Sequence, residues 1–468
     1  MSEEILKDQP IAEGKEEITE EVVLNGVHNY SGEDKYVWPE DPAVREKIEW
    51  FRDQKFALMM HWGAYCQIGI VESWALSDGD GNWSRDQIDW TDDMDEFKQQ
   101  YFDLNKTFNP IRFKPDDWAK AAKDAGFKYF IFTTKHHDGF CMWDTKYTDY
   151  KVTGKDCPFH THRYADVCKH LFDSMRKEGV AVTAYFSKAD WHCPDYWQTR
   201  DNTWRGPSYK FSENDPEAWE RFVEFTQNQL RELADDYGPI ETLWFDAGWV
   251  REKFHQDIRL GELIDELRTR HPGLLSVDRT VGGAYENYVT PEQCVPDEPL
   301  NIPWESCITM GNSFSFNYED DYKSPRQIIA MLTDIVAKGG NLALNVGPQP
   351  DGRLPKGALK TMKGIGEWLR KYGESIYGTR VCAPYKKDDV CFTQKEKENL
   401  VYAIKYYKEE NPEVEATVWV PYTGEITKVV DLYNGEEVQV EKRENGYYFT
   451  SKEVEENAIA RVFRIHTA

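Results

Sequence analysis

The sequence predicts an α/β fold, a degenerate (β/α)8-like barrel followed by a C-terminal β-sandwich. Short apolar segments rich in β-forming residues alternate with helix-length amphipathic segments, which is the pattern of βα units repeated around a parallel sheet. Seven such strands are visible where a closed barrel has eight, so we expect an irregular barrel. After the last helix, short alternating strands with the turn sequences YNGEE and ENGYY predict an all-β domain.

The 468 residues suggest one large domain and one smaller domain. Residues 1–40 are acidic and poor in apolar side chains, which predicts a flexible or loosely docked arm. We assign residues 41–378 to the barrel, where the chemistry is expected, and residues 379–468 to the sandwich. Barrel strands are expected at 56–63, 128–140, 180–187, 241–249, 274–279, 304–310 and 341–348. Helices are expected at 116–126, 164–179, 216–237, 257–271, 325–338 and 355–372.

The composition excludes some partners. A formal net charge of −26 disfavours nucleic acid and anionic lipid surfaces, and no apolar stretch reaches 18 residues, so we expect neither as a partner. The N-terminus resembles no secretory signal, and the nine cysteines are scattered and odd in number. These features predict a cytoplasmic protein with reduced thiols. The 17 Trp and 26 Tyr suit either a large aromatic core or a site that stacks sugar rings.

Polar and aromatic residues follow the predicted barrel strands at their C-terminal ends. A barrel gathers these ends around one mouth, where enzymes of this architecture hold their catalytic groups. The residues expected to converge there are His61, His136, His137, Tyr185, Trp244, Asp246 and Arg279.

Asp246 is a candidate catalytic carboxylate, because a carboxylate directly after Leu243-Trp244-Phe245 is not a routine surface charge. The alternative is a turn aspartate or a helix N-cap. Glycoside hydrolysis needs a second, protonated carboxyl group. The candidates for it are Glu292 in a Pro-flanked loop, Glu298, and Glu305 beside Trp304.

The histidines leave other chemistries open. His136 and His137 suit metal ligands, donors to a polyol or structural histidines, although adjacent strand residues point to opposite faces. His160 and His162, with His192 and Cys157 nearby in sequence, have the spacing of a metal-hydrolase pair but lie in a loop before a helix. A metal-dependent barrel hydrolase and a non-catalytic carbohydrate-binding protein are therefore the alternative functions.

The motifs HWG (61–63), ESW (72–74), KHHDGF (135–140), LWFD (243–246), DR (278–279), WE (304–305) and NLALNVGP (341–348) occur in one order. In this combination the sequence resembles glycoside hydrolase family 29, the α-L-fucosidases, from about Trp50 to Gly378. The resemblance implies an exo-acting, retaining enzyme that needs no metal or other cofactor and acts on fucosylated oligosaccharides or glycoconjugates. It implies that Asp246 is the nucleophile and Glu292 the acid/base. The substrate-binding residues are then expected to be His61, Glu72, Trp74, His136, His137, Tyr185, Trp244, Arg279 and Glu305.

Two features depart from the family pattern. SFSFN at 313–317 replaces the commoner SFGYN or SWGYN, which leaves the leaving-group preference open. Phe186 follows Tyr185 where paired tyrosines are common, which puts the role of Tyr185 in question. The glycosidic linkage and the oligomeric state are not readable from the sequence.

Overall fold

The computed structural model describes residues 30–77, 82–86, 88–198, 204–208 and 214–467. Seven strands in them are β1 (Phe56–Met60), β2 (Tyr129–Lys135), β3 (Ala181–Ser187), β4 (Thr242–Asp246), β5 (Leu275–Asp278), β6 (Glu305–Thr309) and β7 (Asn341–Asn345). They form one curled parallel sheet in the order β5-β4-β3-β2-β1-β7-β6, which confirms the predicted barrel-like architecture.

An irregular segment takes the place of an eighth strand between the two edge strands. Residues 286–292, the closing segment, reach β5 through a bridge between Glu286 and Val277. They reach the other edge through a parallel bridge between Glu292 and Cys307 of β6. The barrel is therefore irregular at the point where the candidate acid lies.

Helices cover the outside of the sheet, and the sequence explains where several begin and end. They are α1 (Pro42–Gln54), α2 (Met94–Phe102), α3 (Pro115–Ala125), α4 (Val167–Lys177), α5 (Pro216–Asp236), α6 (Leu260–Arg268), α7 (Pro325–Ala337) and α8 (Lys356–Tyr372). Proline at the first position suits α3, which ends at Gly126 with a left-handed φ of 93°. Ser324 and Gln327 form a reciprocal capping box at the start of α7.

Alternation along the strands separates two apolar layers. Tyr185 and Trp244 point into the barrel, while their neighbours Phe186 and Phe245 join the layer between sheet and helices. Helix α1 packs against the interior layer through Val44, Ile48 and Phe51. The interior is thus a packed core, and space for a ligand remains only at the mouth.

The C-terminal strands form two antiparallel sheets, as predicted. The larger contains β8 (Arg380–Lys387), β9 (Val390–Lys395), β10 (Leu400–Tyr406), β12 (Ile426–Asp431), β13 (Glu436–Glu437) and β16 (Ala460–Thr467). The smaller contains β11 (Thr417–Val420), β14 (Gln439–Arg443) and β15 (Gly446–Thr450). Phe392 and Phe463 of one sheet pack with Val418 and Phe449 of the other, and α7 packs against β8 and β9.

Most of the predicted N-terminal arm, residues 1–29, lies outside the described residues. Its last part docks on the barrel, where Ser31 Oγ donates to Glu286 at 2.6 Å and Tyr36 Oη donates to Asn287 O at 2.8 Å. The nine cysteines all lie within the described residues, and none of them forms a disulfide there. No helix in the described ranges combines the length and apolar character needed to cross a bilayer.

Candidate active site

Asp246 is the last residue of β4 and lies at the mouth of the barrel, buried except for 17% of its side chain. Tyr185 Oη, from the neighbouring strand β3, donates to Asp246 Oδ2 at 2.6 Å. Arg279 Nη1, one residue beyond β5, donates to Asp246 Oδ1 at 3.2 Å. In the parallel register Asp246 pairs with Ser187, two residues beyond Tyr185, and Asp278 pairs with Phe245, so Arg279 follows at the level of Asp246. Tyr185 therefore reaches Asp246 from within β3.

Glu292 lies on the closing segment and shares the guanidinium of Arg279 with Asp246. Arg279 Nη2 is hydrogen-bonded to Glu292 Oε2, and both side chains are nearly inaccessible to solvent. The bridge from Glu292 to Cys307 of β6 fixes this position. Two carboxyl groups therefore flank one cation at the mouth of the barrel.

The two carboxyl groups have opposite pKa displacements. Burial by itself raises the pKa of Asp246, but the Arg279 guanidinium and the Tyr185 hydroxyl outweigh burial and hold it well below its ordinary value. Burial dominates at Glu292 and, with the repulsion from Asp246, raises its pKa to about 7 in spite of Arg279. Near neutral pH the site thus holds one ionised and one partly protonated carboxyl group.

Hydrogen-bond networks fix the tautomers of two histidines. Ser187 Oγ donates to Ala189 O at 2.7 Å, so His137 Nδ1, 2.6 Å from that hydroxyl, must donate to it. The Nε2 of His137 then carries a lone pair and lies 3.7 Å from Asp246 Oδ2. Asn345 Nδ2 donates to Phe314 O at 2.7 Å, so its Oδ1 accepts from His61 Nδ1 at 2.8 Å. Burial lowers the pKa of both imidazoles to about 4, so both are neutral acceptors at Nε2.

His136 and Glu72 lie at the same mouth. Strand β2 ends at Lys135, so the side chains of His136 and His137 need not point to opposite faces of the sheet. Both lie near Asp246. His136 Nδ1 lies 2.6 Å from Ser73 Oγ, and its ring stacks on Tyr185 at 5.8 Å. Glu72 is 3% exposed, and burial raises its pKa to about 8. Glu72 is therefore a second carboxyl group that is largely neutral near pH 7.

These groups line a pocket with an empty volume of about 580 Å³, including open solvent at its mouth. Aromatic rings form much of its wall, namely those of Trp74, Tyr185, Trp244, Trp249 and Phe314. The lining residues are Met59, His61, Glu72, Trp74, His136, Tyr185, Arg205, Trp244, Asp246, Gly248, Trp249, Arg279, Thr280, Glu292, Cys307 and Phe314.

Nine of the eleven predicted site residues line this pocket, and the other two do not. His137 lies behind the wall, against Asp246 and Trp74. Glu305 is the first residue of β6 and lies in the barrel interior, bound by the Tyr129 hydroxyl and, at 3.3 Å, by Trp244 Nε1. Glu298, an alternative acid, is exposed and accepts from Tyr385 at 2.7 Å, outside the pocket lining.

Seven lining residues were not among the predicted site residues, and Trp249, Phe314 and Arg205 are three of them. Trp249 ends the cluster WFDAGW and Phe314 lies in SFSFN, so both were visible as strand-end aromatics. Arg205 comes from residues 204–208 and carried no sequence signal. It is 8% exposed, with its guanidinium 4.8 Å from the centre of the Trp249 ring. Its carbonyl oxygen accepts from Trp191 Nε1 at 2.8 Å, which fixes the backbone at this point.

The alternative metal set is not brought together. His160 Nδ1 contacts Cys157 O at 2.7 Å, and His192 stacks on Tyr150 at 3.9 Å. In the described part of the chain, the group of metal-type ligands that does converge is His136, His137 and Asp246, with ligand atoms within 4.8 Å of one another. Within that group, Asp246 already accepts hydrogen bonds from Arg279 and Tyr185. This group also differs from the set His160, His162 and His192 that the sequence suggested.

A barrel mouth with two carboxyl groups of opposed pKa in an aromatic pocket defines a glycoside hydrolase. Comparisons with known proteins specify which one. Residues 24–374 match the family model described as Alpha-L-fucosidase. The chain is therefore a glycoside hydrolase that belongs to the α-L-fucosidase family, glycoside hydrolase family 29, as the motifs predicted.

Individual relatives agree with this assignment. The plasma α-L-fucosidase of Pongo abelii is 26% identical over 379 residues, which cover 77% of each chain. The structure of α-L-fucosidase isoenzyme 1 from Paenibacillus thiaminolyticus is 29% identical with a TM-score of 0.74, covering 91% of this chain and 100% of that one. The family 29 enzyme from Bacteroides thetaiotaomicron, solved as a trapped covalent intermediate with 2-fluoro-fucosyl fluoride, is 26% identical with a TM-score of 0.72 over 92% and 97% of the two chains.

Proposed function

We propose that this chain removes terminal α-L-fucose from oligosaccharides or glycoconjugates by a retaining double displacement, with Asp246 as nucleophile and Glu292 as acid/base. One observation carries the proposal: both carboxyl groups contact the guanidinium of Arg279 in a single pocket. The covalent intermediate trapped in the Bacteroides thetaiotaomicron relative supports a two-step reaction. The family membership supports fucose as the sugar.

In the first step an Asp246 oxygen attacks the anomeric carbon from the face opposite the leaving group. The bond from that carbon to the glycosidic oxygen breaks, and Glu292 gives its proton to the departing oxygen. Arg279 and Tyr185 keep Asp246 ionised in a buried site that would otherwise favour its neutral form. The product of this step is a fucosyl ester of Asp246.

In the second step Glu292, now ionised, removes a proton from water. The water oxygen attacks the anomeric carbon, and the ester bond to Asp246 breaks, so the nucleophile and the protonated acid are both regenerated. Each step inverts the anomeric centre. The fucose product therefore keeps the α configuration of the substrate.

The pocket wall offers the groups needed to hold the sugar. The lone pair at Nε2 of His61 accepts from a hydroxyl group, and Glu72, when neutral, both donates and accepts. Trp244 presents an apolar face to the C6 methyl group that distinguishes fucose from galactose, a contact worth roughly 1 to 3 kcal/mol. The sugar is thus recognised by hydrogen bonds on its hydroxyls and by packing on its methyl group.

Glu305 has a different role from the substrate binding predicted for it. Its carboxyl group joins the Tyr129 hydroxyl and the Trp244 indole inside the barrel. We therefore assign it as a positioning residue that holds the Trp244 ring against the pocket. Residues 379–468 likewise support the barrel through α7, and residues 41–378 carry the chemistry.

Substitution of the nucleophile tests the proposal directly. Asp246→Ala should lower kcat for an aryl α-L-fucoside by several orders of magnitude, because no covalent intermediate forms. Added azide should enter the space left by the carboxylate and give β-fucosyl azide, which NMR identifies. Asp278→Ala is the matched control, since Asp278 ends the neighbouring strand outside the pocket lining and should yield no azide product. Full activity of Asp246→Ala would refute the assignment.

Leaving-group dependence tests the acid. Glu292→Gln keeps an oxygen for Arg279 but donates no proton, so turnover of alkyl fucosides should fall far more than turnover of a dinitrophenyl fucoside. Glu72→Gln provides the comparison, because Glu72 is the other pocket carboxyl group with a raised pKa. If only Glu72→Gln separates the two substrates, the acid is Glu72 and not Glu292.

A further inference from the structure

A second cavity has an empty volume of about 1790 Å³, including open solvent, and none of the mechanism above uses it. We name it the rim groove. Its walls come from the loop between β6 and α7, the loop between β7 and α8, and the start of α3. Strand C-termini and helix N-termini meet at the same end of a βα barrel, so the rim groove lies at the end that holds the catalytic pocket. Its volume suits a bound oligosaccharide.

An exposed aromatic ring forms one wall of the rim groove. The side chain of Tyr318 is 67% exposed, which is unusual for so large a ring. It is nevertheless held in place: Phe316 meets it edge-on at 5.0 Å, and its hydroxyl reaches Gln67 O at 3.5 Å. Gly69 leaves room for the ring, since a Cβ there would lie 2.2 Å from Tyr318 Cδ2. A fixed and exposed tyrosine is a platform on which the C–H face of a sugar can stack with little loss of side-chain entropy.

The polar groups of the rim groove are of mixed sign. Arg112 and Arg353 both pair with Asp351, at 3.8 and 2.7 Å. Asp320 and Asn317 each accept from the backbone of their own loop, at 2.6 and 2.9 Å. With Lys114, Lys356 and Asp117, the lining holds four cationic and three anionic side chains, which is too small a surplus to select an anion. This is the chemistry that matches the hydroxyl groups of a neutral glycan.

The rim groove and the catalytic pocket are joined by a single stretch of chain. Phe314 lines the pocket, 4.9 Å from His61, whereas Phe316 and Tyr318 line the rim groove. On the other side, Trp62 follows His61 and donates to Gln349 O of the rim groove at 3.2 Å. Residues 314–318 therefore contribute to the walls of both cavities.

The acid/base residue lies next to the strand that leads into the rim groove. Glu292 is bridged to Cys307 of β6, and β6 is followed by the loop that carries Phe314 and Tyr318. The leaving group must lie beside Glu292 for proton transfer. It therefore lies next to the strand whose following loop forms one wall of the rim groove.

We propose that the rim groove binds the neutral oligosaccharide to which the fucose is attached, with one of its sugar rings stacked on Tyr318. This inference rests on the proposed function, because it places the leaving group of that reaction. Binding energy from this remote contact then favours extended glycans over small synthetic glycosides.

Comparing two substrates tests the inference. Tyr318→Ala should lower kcat/KM for a neutral fucosylated tetrasaccharide about tenfold, the factor that corresponds to about 1.4 kcal/mol of stacking. It should leave kcat/KM for 4-nitrophenyl α-L-fucoside unchanged. The defucosylated trisaccharide should bind the wild-type enzyme in calorimetry and bind Tyr318→Ala more weakly. Tyr147→Ala, which removes another exposed tyrosine that lies outside the rim groove, should behave as the wild type.

Two results would overturn the inference. An equal loss on both substrates would mean that Tyr318 supports the loop near Phe314 instead of contacting a glycan. No loss on either substrate would mean that the glycan runs elsewhere. Both results leave hydrolysis of the aryl fucoside intact or measurable, whereas failure of the proposed function would appear as no hydrolysis of that substrate by the wild-type enzyme.

Discussion

The chemistry of the site depends on keeping one buried carboxylate ionised. Asp246 is surrounded by aromatic rings and is largely removed from water, conditions that favour the protonated form. Two direct donors, Arg279 and the Tyr185 hydroxyl, reverse that preference. Tyr185 is thus more than a wall of the pocket. Phe186, which departs from the paired tyrosines of the family, points to the outer layer and does not affect this bond.

Loss of the Tyr185 hydroxyl should shift the pH profile in one direction. Asp246 must be ionised to attack, so activity falls as the pH drops through its pKa, which lies below the ordinary value of about 3.9. Tyr185→Phe removes a donor to the charged form and so raises that pKa. The acid limb of kcat/KM should therefore move to higher pH, while the alkaline limb, set by a Glu292 pKa of about 7, stays in place.

A tyrosine outside the site provides the control for this profile. Tyr377 donates to Gly126 O at 2.5 Å on the outer surface of the barrel, so Tyr377→Phe should leave both limbs where they are. A Tyr185→Phe enzyme with an unmoved acid limb but lower kcat/KM would show that the hydroxyl orients Asp246 or the sugar without tuning the charge.

At the scale of elements, the sequence predicted most of what positions the site. Apolar strands that end in polar clusters predicted a common mouth, and β3, β4 and β5 bring Tyr185, Asp246 and Arg279 together there. The end of β2 explains the position of the tandem histidines. The predicted strand at 128–140 is too long, since β2 ends at Lys135, and this early end allows both His136 and His137 to lie near Asp246.

Other features were not predictable, for physical reasons. Glu305 was expected in the site as part of the WE motif. However, Trp304 precedes β6 and Glu305 is its first residue, so Glu305 lies at the end of the strand opposite the mouth. Arg205 lies in residues 204–208, where its backbone is held by a hydrogen bond from Trp191 and not by a local sequence pattern. The position of the closing segment was not predictable, because isolated bridges and not a continuous strand ladder hold it.

At the scale of the whole molecule, the chain is strongly acidic although its pocket contains two cationic side chains. The formal net charge is −26, yet the pocket holds Arg279 and Arg205 among its lining residues. The site tolerates negative charge on its own carboxyl groups, but an approaching anion first meets the field of the whole protein. A neutral fucosylated glycan does not experience this barrier, which agrees with the mixed polarity of the rim groove.

The field of the molecule should make the reaction of charged substrates dependent on salt. We expect kcat/KM for a fucosylated oligosaccharide that carries one sulfate group to rise several-fold between ~10 mM and ~150 mM NaCl, as the Debye length shortens from about 30 Å to about 8 Å. The same oligosaccharide without sulfate should show a flat response, because salt then screens no attraction or repulsion. Steady-state assays of both substrates at equal pH measure the difference. A fall in kcat/KM for the sulfated substrate would instead mean that local cations at the mouth, such as Arg112 or Arg353, outweigh the field of the chain.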